Sequence, residues 1–384
     1  MQKRILHMLL GIVGAAALAG AGAYGYVQQP KFGALPSGER LERILASPHF
    51  SEGIFHNITP IPQNDSKGGL FVGVVKYLFT RKDNPVPPVA VPSVKTDLMR
   101  LDPAADTVIW LGHSSYFMQL GGKRILIDPV FSDNAAPVPL ANKAFPGTSL
   151  YTADDMPIID HVLISHDHWD HLDYPTIIAL RPKIRNVVCP LGVGAHLERW
   201  GLAPDLVREA DWYTEISLED GLSVHVLPAR HFSGRFLTGN KTLWAGFALI
   251  TPARKIFFSG DSGYGPHFAD IGERFGGFDL AILDSGQYDV NWRYVHMMPE
   301  DAARAALDLR ARALLPAHTG KFSIAYHTWD DPFIRIAAAS HGSAYRLLTP
   351  MIGEPVNLAD ERQQFTAWWE HLEHGPAVRN AALP

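Results

Sequence analysis

The chain has 384 residues, of which 47% are hydrophobic and 19% charged, so it can form one large or two ordinary globular domains. Its formal net charge is −5, and this mild acidity excludes the broad basic surface that nucleic-acid binding usually requires. The single cysteine, Cys189, excludes an internal disulfide framework and a cysteine-clustered zinc site. Any bound metal ion must therefore be held by His and Asp, and the chain has 18 histidines.

The N-terminal residues differ in composition from the rest of the chain. Lys3 and Arg4 precede an uncharged stretch, Ile5–Val27, which is long enough to span a bilayer. Residues 1–27 are therefore predicted to be a signal peptide or a membrane anchor, with Ala21-Gly22-Ala23 as a candidate cleavage site. The basic flank predicts that the remainder lies outside the cytoplasm, either anchored to the membrane or secreted.

Residues 28–105 are rich in proline and turn-forming residues, as in Asn84-Pro85-Val86-Pro87-Pro88. This composition predicts an N-terminal arm packed on a core rather than an independent domain. Within the arm we expect a short amphipathic helix at Glu39–Leu45 and an apolar run at Leu70–Phe79.

Short β-type segments begin near residue 106, and helical segments alternate with the later ones. Tyr174–Leu180 follows Asp173 as a candidate N-cap, and Glu300–Arg310 follows Pro299. This alternation predicts a layered α/β domain with two sheets over residues 106–355, followed by a C-terminal tail at 356–384. The predicted strands are Thr107–Leu111, Arg124–Ile127, His161–Ser165, Val187–Cys189, Ser223–Leu227, Phe247–Thr251, Lys255–Ser259, Leu280–Leu283 and Ala313–Pro316.

The strongest functional signal is the run His166-Asp167-His168-Trp169-Asp170-His171. It lies in a loop between a predicted strand and a predicted helix, which would hold both of its ends and direct several side chains toward one point. Imidazole and carboxylate groups crowded in this way would repel or desolvate one another without a cation. The run therefore predicts a metal site, with His166, His168, Asp170 and His171 as ligands.

Three further candidate ligands also follow predicted strands: His231, Asp261 and His318. Together with the loop they give five histidines and two aspartates without cysteine, a set that suits zinc. Seven ligands are enough for two Zn²⁺ ions, and such pairs, about 3.5–4 Å apart, hold a bridging hydroxide and clamp the attacking and leaving oxygens.

These motifs resemble those of the metallo-β-lactamase superfamily. The resemblance implies a four-layer αββα sandwich, which here carries the Pro-rich arm. It also implies that His166, His168 and His231 hold one zinc ion. The second ion would be held by Asp170, His171 and His318, with Asp261 bridging the two. Because the β-lactamases themselves carry Cys at the position of Asp261, the aspartate favours hydrolysis of esters and phosphodiesters.

A narrower resemblance covers most of residues 30–350. The blocks Trp110–Ser115, Leu126–Ser132 and Val295–Glu300 look like those of N-acyl-phosphatidylethanolamine-hydrolysing phospholipase D and its bacterial relatives. That family implies a phosphodiesterase acting on a small-molecule or lipid phosphodiester. It also implies that His296 lies near the substrate phosphate and assists leaving-group protonation, whereas Asp128 orients a ligand histidine.

The chain departs from this family at Leu283–Tyr288, where vertebrate-type members have an apolar, Pro-containing segment. Asp284 therefore either adds an acid to the site or lies in an exposed turn, and His113 is interpreted as a packed, hydrogen-bonded residue. Two other functions stay open: a metal-dependent lactonase, and a non-catalytic envelope protein that keeps metal for structure. A di-iron redox role is disfavoured, because that branch typically has Glu where this chain has His168.

Overall fold

The computed structural model describes residues 2–62, 84–139, 141–235 and 238–374. Two seven-stranded sheets form its centre. The first sheet contains β3 Thr107–Trp110, β4 Tyr116–Leu120, β5 Lys123–Ile127, β6 His161–Leu163, β7 Val187–Pro190, β8 Val207–Ala210 and β16 Pro355–Asn357. The second contains β9 Thr214–Ser217, β10 Ser223–Leu227, β11 Gly246–Ile250, β12 Lys255–Phe258, β13 Leu280–Asp284, β14 Ala313–Ala317 and β15 Arg346–Leu347. A separate hairpin pairs β1 Phe50–Ser51 with β2 Ile54–Phe55.

Each sheet consists of an antiparallel part followed by a parallel part. In the first, the order is β16-β3-β4-β5-β6-β7-β8, with β3 to β5 antiparallel and β5 to β8 parallel. In the second, the order is β15-β14-β13-β12-β11-β10-β9, with β9 to β12 antiparallel and β12 to β15 parallel. Parallel strands are buried on both faces, which accounts for the continuous apolar runs in β7, β13 and β14.

Helices cover the outer faces of both sheets. The described α-helices are α1 Gln2–Val27, α2 Gly38–Leu45, α3 Tyr174–Leu180, α4 Gly194–Arg199, α5 His267–Phe275, α6 Pro299–Asp308 and α7 Asp331–Ser340. Ile177 of α3 packs outside the first sheet, and Phe268 of α5 and Ile336 of α7 pack outside the second. The largest apolar cluster lies between the sheets, for example at Val108 and Phe247. The predicted four-layer αββα sandwich is confirmed.

The carboxyl ends of the strands place polar side chains along one edge of the sandwich. Chain direction is the same in β10, β12, β13 and β14, because two antiparallel steps separate β10 from β12. The parallel strands β5 and β6 likewise end together. The loops after these ends are therefore neighbours, the usual position of ligand sites in sheets of this kind.

The predicted elements agree closely with the structure where apolar residues cluster. Tyr174–Leu180 and Ser223–Leu227 have the observed bounds, and the arm helix begins one residue earlier, at Gly38. Strands β8 and β9 were not predicted, because they carry exposed charged residues that weaken their apolar pattern. Strand β4 was not predicted either, although all five of its residues are buried. The apolar run at Leu70–Phe79 lies outside the described residues.

Segments before and after the predicted catalytic domain also contribute to its core. Ile44 and Phe55 of the arm belong to the cluster between the sheets. The expected limit at residue 355 falls inside β16, which pairs with β3. Trp368 and Trp369, in the region expected to be a tail, pack against Phe333 in the same cluster. Residues 356–374 are thus part of the folded body.

Helix α1 is exposed along most of its length. His7–Val27 has the length and composition to cross a membrane, and no residue of it is fully buried. The same pattern is found in N-terminal signal sequences.

Candidate metal centre

Four of the predicted ligands form one group. Nε2 of His166 and Nε2 of His231 lie 2.9 and 3.2 Å from Nδ1 of His168. Oδ2 of Asp261 lies 3.7 Å from Nε2 of His166 and 3.7 Å from Nε2 of His231. One ligand atom from each of these residues lies within 4.8 Å of all the others. The group could surround a single ion, using the loop after β6 and the segments after β10 and β12.

A second group of four adjoins the first. Oδ2 of Asp170 lies 3.7 Å from Nε2 of His171 and 3.9 Å from Nε2 of His318. The fourth member is His113, whose Nε2 lies 2.9 Å from Oδ2 of Asp170. Ligand atoms of all four again lie within 4.8 Å of one another. The structure therefore brings all seven predicted ligands together, and adds His113, a histidine that was assigned to packing.

Asp261 connects the two groups. Besides its contacts in the first group, its Oδ2 lies 3.1 Å from Nε2 of His171 and its Oδ1 lies 3.2 Å from Nδ1 of His318. Asp261 is buried, with 3% of its surface exposed. A carboxylate in contact with both histidine sets has the position that a bridging ligand requires.

Hydrogen bonds fix the orientation of two of these histidines. Nδ1 of His171 donates to Oδ2 of Asp128 at 2.8 Å, and the backbone N–H of Ser165 donates to Oδ1 of the same carboxylate at 2.7 Å. Nδ1 of His231 donates to the carbonyl oxygen of Val295 at 3.0 Å. In both rings the remaining nitrogen, Nε2, faces the cluster, as in metal sites where an outer partner orients each ligand histidine. Asp128 therefore contacts His171, one of the predicted ligand histidines.

The electrostatics of the cluster favour neutral imidazoles at three positions. Burial and neighbouring histidines lower the pKa of His166 and His318 well below the usual value. Burial does the same for the pKa of His231, against the opposing effect of Asp261. Burial alone would raise the pKa of Asp261, but His171 and other histidines lower it to about 2. Neutral imidazole and ionised carboxylate are the forms that bind metal ions.

His171 behaves differently because carboxylates surround it. Burial acts to lower its pKa, but Asp261, Asp170 and Asp128 outweigh burial and raise it well above the usual value. Nε2 of His171 and Oδ1 of Asp261 are buried, and neither makes a hydrogen bond within the described residues. Leaving a buried polar atom without a partner costs about 1–3 kcal/mol. A divalent cation between them would satisfy both atoms, so the residues present fit a metal site.

His296 and Asp284 form a pair beside the cluster. Nδ1 of His296 donates to Oδ2 of Asp284 at 3.0 Å and lies 3.9 Å from Oδ2 of Asp261. The His296 ring stacks on that of His318 with centroids 5.0 Å apart. Asp284 is the last residue of β13 and is fully buried, so the alternative of an exposed turn is wrong. Burial raises the pKa of Asp284 to about 7, although His296 acts against this shift.

Three residues of the cluster have a left-handed backbone that non-glycine residues rarely adopt. The φ angles are 55° at His113, 41° at Asp128 and 61° at His318. Such a conformation costs about 1–2 kcal/mol for an L-residue and persists only where the surrounding structure imposes it. The left-handed backbone of His113, in the Trp110–Ser115 block, could not be predicted from the sequence, because no residue pattern indicates it.

Comparison with known proteins identifies the family. The profile of the beta-lactamase superfamily domain matches residues 123–319. An uncharacterized protein of Mycobacterium tuberculosis is 36% identical over 327 residues, which is 84% of this chain and 87% of that protein. Outer membrane protein RomA of Klebsiella pneumoniae is 62% identical over 106 residues, or 28% of this chain and 80% of that protein.

Two further similarities concern activity and fold. N-acyl-phosphatidylethanolamine-hydrolyzing phospholipase D 1 of Caenorhabditis elegans is 33% identical over 226 residues, 56% of this chain and 63% of that enzyme. The isothiocyanate hydrolase from Delia radicum gut bacteria has a similar fold, with a TM-score of 0.53 and 20% identity over 65% of this chain and 98% of the other. With the paired sheets and the His–Asp cluster at their edge, these matches show that the chain belongs to the beta-lactamase superfamily and is a metal-dependent hydrolase of the metallo-β-lactamase fold.

Proposed function

We propose that this protein is a dinuclear zinc hydrolase of phosphodiesters, and that its substrates are phospholipids of the N-acyl-phosphatidylethanolamine type. The observation that carries the proposal is the contact of one carboxylate, Asp261, with both groups of histidines. A shared carboxylate is the ligand expected between two adjacent ions. A single structural zinc ion needs only four ligands, and none of them is shared.

His166, His168 and His231 would hold one ion, and Asp170, His171 and His318 the other, with Asp261 shared. When bound, two such ions act as Lewis acids and activate water for attack. His113 belongs to the same group of side chains as Asp170, and its hydrogen bond to Asp170 suits a residue that would orient this carboxylate toward an ion.

The protein's own residues account for the remaining steps. Asp128 and the carbonyl group of Val295 keep His171 and His231 turned toward the cluster. Asp284 holds Nδ1 of His296, so Nε2 is the ring nitrogen that can reach a substrate. A proton donated from this nitrogen to the leaving oxygen would assist cleavage of the ester bond.

The choice of phosphodiesters rests on relatives and on ligand chemistry. The phospholipase D of Caenorhabditis elegans and its mitochondrial counterpart in Saccharomyces cerevisiae share 33% identity with this chain over 226 and 233 residues. Aspartate at position 261, rather than cysteine, also suits hydrolysis of esters with oxygen leaving groups. An envelope location is supported by the apolar helix α1 and by the relative named as an outer membrane protein.

Measurement of metal content together with turnover tests this proposal. Purified full-length protein loaded with zinc is assayed against N-acyl-phosphatidylethanolamine, simpler phosphodiesters and a panel of lactones. We expect about two zinc ions per chain and release of phosphatidic acid from the lipid. The control is the Asp205→Ala variant, because Asp205 is exposed in a short 3-10 helix, Pro204–Leu206.

Each other outcome points to a different function. Turnover of lactones with no diester cleavage would identify a metal-dependent lactonase. One tightly held zinc ion without any hydrolysis would identify a structural site, and two iron ions in protein purified from native cells would contradict the choice of zinc.

A further inference from the structure

The residues that follow the apolar helix pack directly on the metal-ligand loop. We call residues 26–34 the juxtamembrane segment; it comprises the end of α1 and the 3-10 helix Pro30–Phe32. The hydroxyl of Tyr26 donates to the carbonyl oxygen of Pro137 at 2.6 Å, and Nζ of Lys31 donates to the same oxygen at 2.7 Å. The segment is therefore attached to the folded body within the last turn of α1.

Arg235 ties this segment to both ends of the metal-ligand loop. Its guanidinium is almost completely buried and donates to the carbonyl oxygens of Asp167 and Leu172 at 2.8 and 2.7 Å. It also donates to the carbonyl oxygen of Lys31 at 2.9 Å. Between these bonds it lies over the ring of Trp169, 4.0 Å from the centroid. A single side chain thus joins the start, the middle and the end of the ligand loop to the juxtamembrane segment.

A second set of bonds joins the same two parts. The carboxylate of Asp167 lies 3.2 Å from Nε2 of His196 and accepts from the backbone N–H of Gly234 at 2.7 Å. The other nitrogen of His196 accepts from the backbone N–H of Ala34 at 3.1 Å. Asp167 is the one acidic residue of the ligand run for which no metal contact is proposed. Through His196 it joins the ligand loop to the juxtamembrane segment.

Aromatic side chains continue the connection to the metal ligands. The rings of Tyr26 and Phe32 pack edge to face at 5.5 Å, and those of Phe32 and Trp169 at 5.2 Å. On the other side of the loop, His168 packs edge to face with Phe232 at 4.7 Å. Phe232 is 43% exposed although it contacts two ligand histidines.

The length of the chain limits how far the site can lie from the bilayer. His7–Val27 has 21 residues, which as a helix spans about 30 Å, the thickness of a bilayer's hydrocarbon core. In that arrangement Tyr26 would lie at the interface, where tyrosine is enriched. Phe32 follows Val27 by five residues and lies at most about 18 Å from it. If α1 spans the bilayer, the ligand loop lies beside the headgroups.

We propose that the juxtamembrane segment, held by Arg235, clamps the metal-ligand loop against the membrane that α1 enters, so that the metal centre opens onto the lipid surface. The exposed apolar side chains next to these contacts fit this partner: Leu35 and Val138 are 54% and 46% exposed, beside the segment and beside Pro137. The proposal concerns position and not catalysis, so it can be tested even if the substrate is not a phosphodiester.

Fluorescent labels at three positions test the lipid contact. Single cysteines replace Val138, Phe232 or, as a control, Leu307, and each is labelled with an environment-sensitive dye. Leu307 is 51% exposed near the end of α6, which leads into the amino end of β14 and so lies away from the ligand edge. The native Cys189 is fully buried and should not react, which labelling of the wild type verifies.

Each full-length variant is reconstituted in phosphatidylcholine vesicles with and without a lipid that carries a spin-label quencher. We expect quenching at positions 138 and 232 and none at 307. Equal quenching at all three positions, or none at 138 and 232, would overturn the lipid-facing orientation.

The clamp itself is tested by Phe32→Ala, with Leu45→Ala as a control because Leu45 is 62% exposed at the end of α2, outside the juxtamembrane segment. Loss of the Phe32 ring should reduce quenching at position 232, whereas loss of the Leu45 side chain should not. Circular dichroism verifies that both variants are folded. If quenching at position 232 is the same in Phe32→Ala and in Arg235→Lys as in the protein with neither substitution, the juxtamembrane segment does not position the site.

Discussion

The two halves of the sandwich supply metal ligands in different ways. The half built on β3 to β8 provides its predicted ligands from six consecutive residues, His166–His171, in the loop between β6 and α3. The half built on β9 to β15 provides His231, Asp261 and His318 from three separate segments that meet only because their strands run in the same direction. The ligands of the run His166–His171 therefore come together when one loop is held in place. The other three ligands come together only when the whole second sheet packs correctly.

Loss of the shared ligand should have the largest effect, since it acts on both halves at once. Asp261→Ala removes the carboxylate that contacts histidines of both groups. We expect more than about 100-fold loss of hydrolysis, because changes to outer partners of metal ligands already cost 10–100-fold. Bound zinc, measured by atomic absorption, should fall for both sites. A variant that kept two ions and full turnover would show that Asp261 does not join the sites.

Loss of a single ligand from each group should separate the two ions. His231→Ala belongs to the first group and His318→Ala to the second, although both come from the same half of the sandwich. We expect each variant to bind about one zinc ion per chain, with at least a tenfold loss of activity in each. Loss of both ions in either variant would mean that the groups bind cooperatively as one site. Thermal unfolding of the zinc-free proteins controls for damage to the fold.

Asp128 in the first half and Asp284 in the second each hydrogen-bond a histidine, so the effects of replacing them can be compared directly. Asp128→Asn weakens the bond to His171 and should lower zinc affinity by about 10–100-fold. Asp284→Asn weakens the bond to His296 and should leave zinc content unchanged. It should slow cleavage roughly tenfold for diesters with alkoxide leaving groups, because these depend on proton donation.

Leaving-group dependence distinguishes positioning of His296 from a general loss of structure. Diesters of p-nitrophenol need little protonation and should be cleaved by Asp284→Asn at nearly the wild-type rate. An equal loss with both kinds of substrate would argue against a role through His296, and a fall in bound zinc would make Asp284 a part of the metal site instead.

The smallest expected effect concerns a buried lysine that links the halves. Lys321, three residues after His318, donates to the carbonyl oxygen of Val130 at 2.7 Å. Burial lowers its pKa from 10.5 to about 8, so the unfolded chain binds more protons than the folded protein between these values. The free energy of unfolding should therefore rise with pH, by about 1.5 kcal/mol from pH 8 to 9.5.

Lys321→Met should abolish this rise, whereas the exposed Lys143→Met should keep it. Urea denaturation of the zinc-free proteins at several pH values measures the difference. Parallel pH dependence in all three proteins would show that the Lys321 ammonium is not the group responsible.

Sequence and structure agree where a local pattern specifies the feature, and they differ where contacts join residues far apart along the chain. The ligand loop and the ends of the apolar strands could be predicted because periodicity and local composition specify them. His113 was assigned to packing, although it lies 2.9 Å from Asp170, since that contact joins residues 57 positions apart. Asp284 could not be placed, because burial at the end of β13 depends on the helices packed over the second sheet.

The sequence alone predicted a layered α/β domain with two sheets and a set of polar residues at strand ends, because these depend on side-chain chemistry and on the period of each strand. The family and the four-layer sandwich were implied by the resemblance of its motifs to those of a known superfamily. Tertiary structure alone decided which of those residues meet, that Asp261 touches both groups, and that the segment after α1 packs on the ligand loop. The physical reason is that strand order and direction, which no local pattern encodes, bring distant loops to one edge of the sandwich.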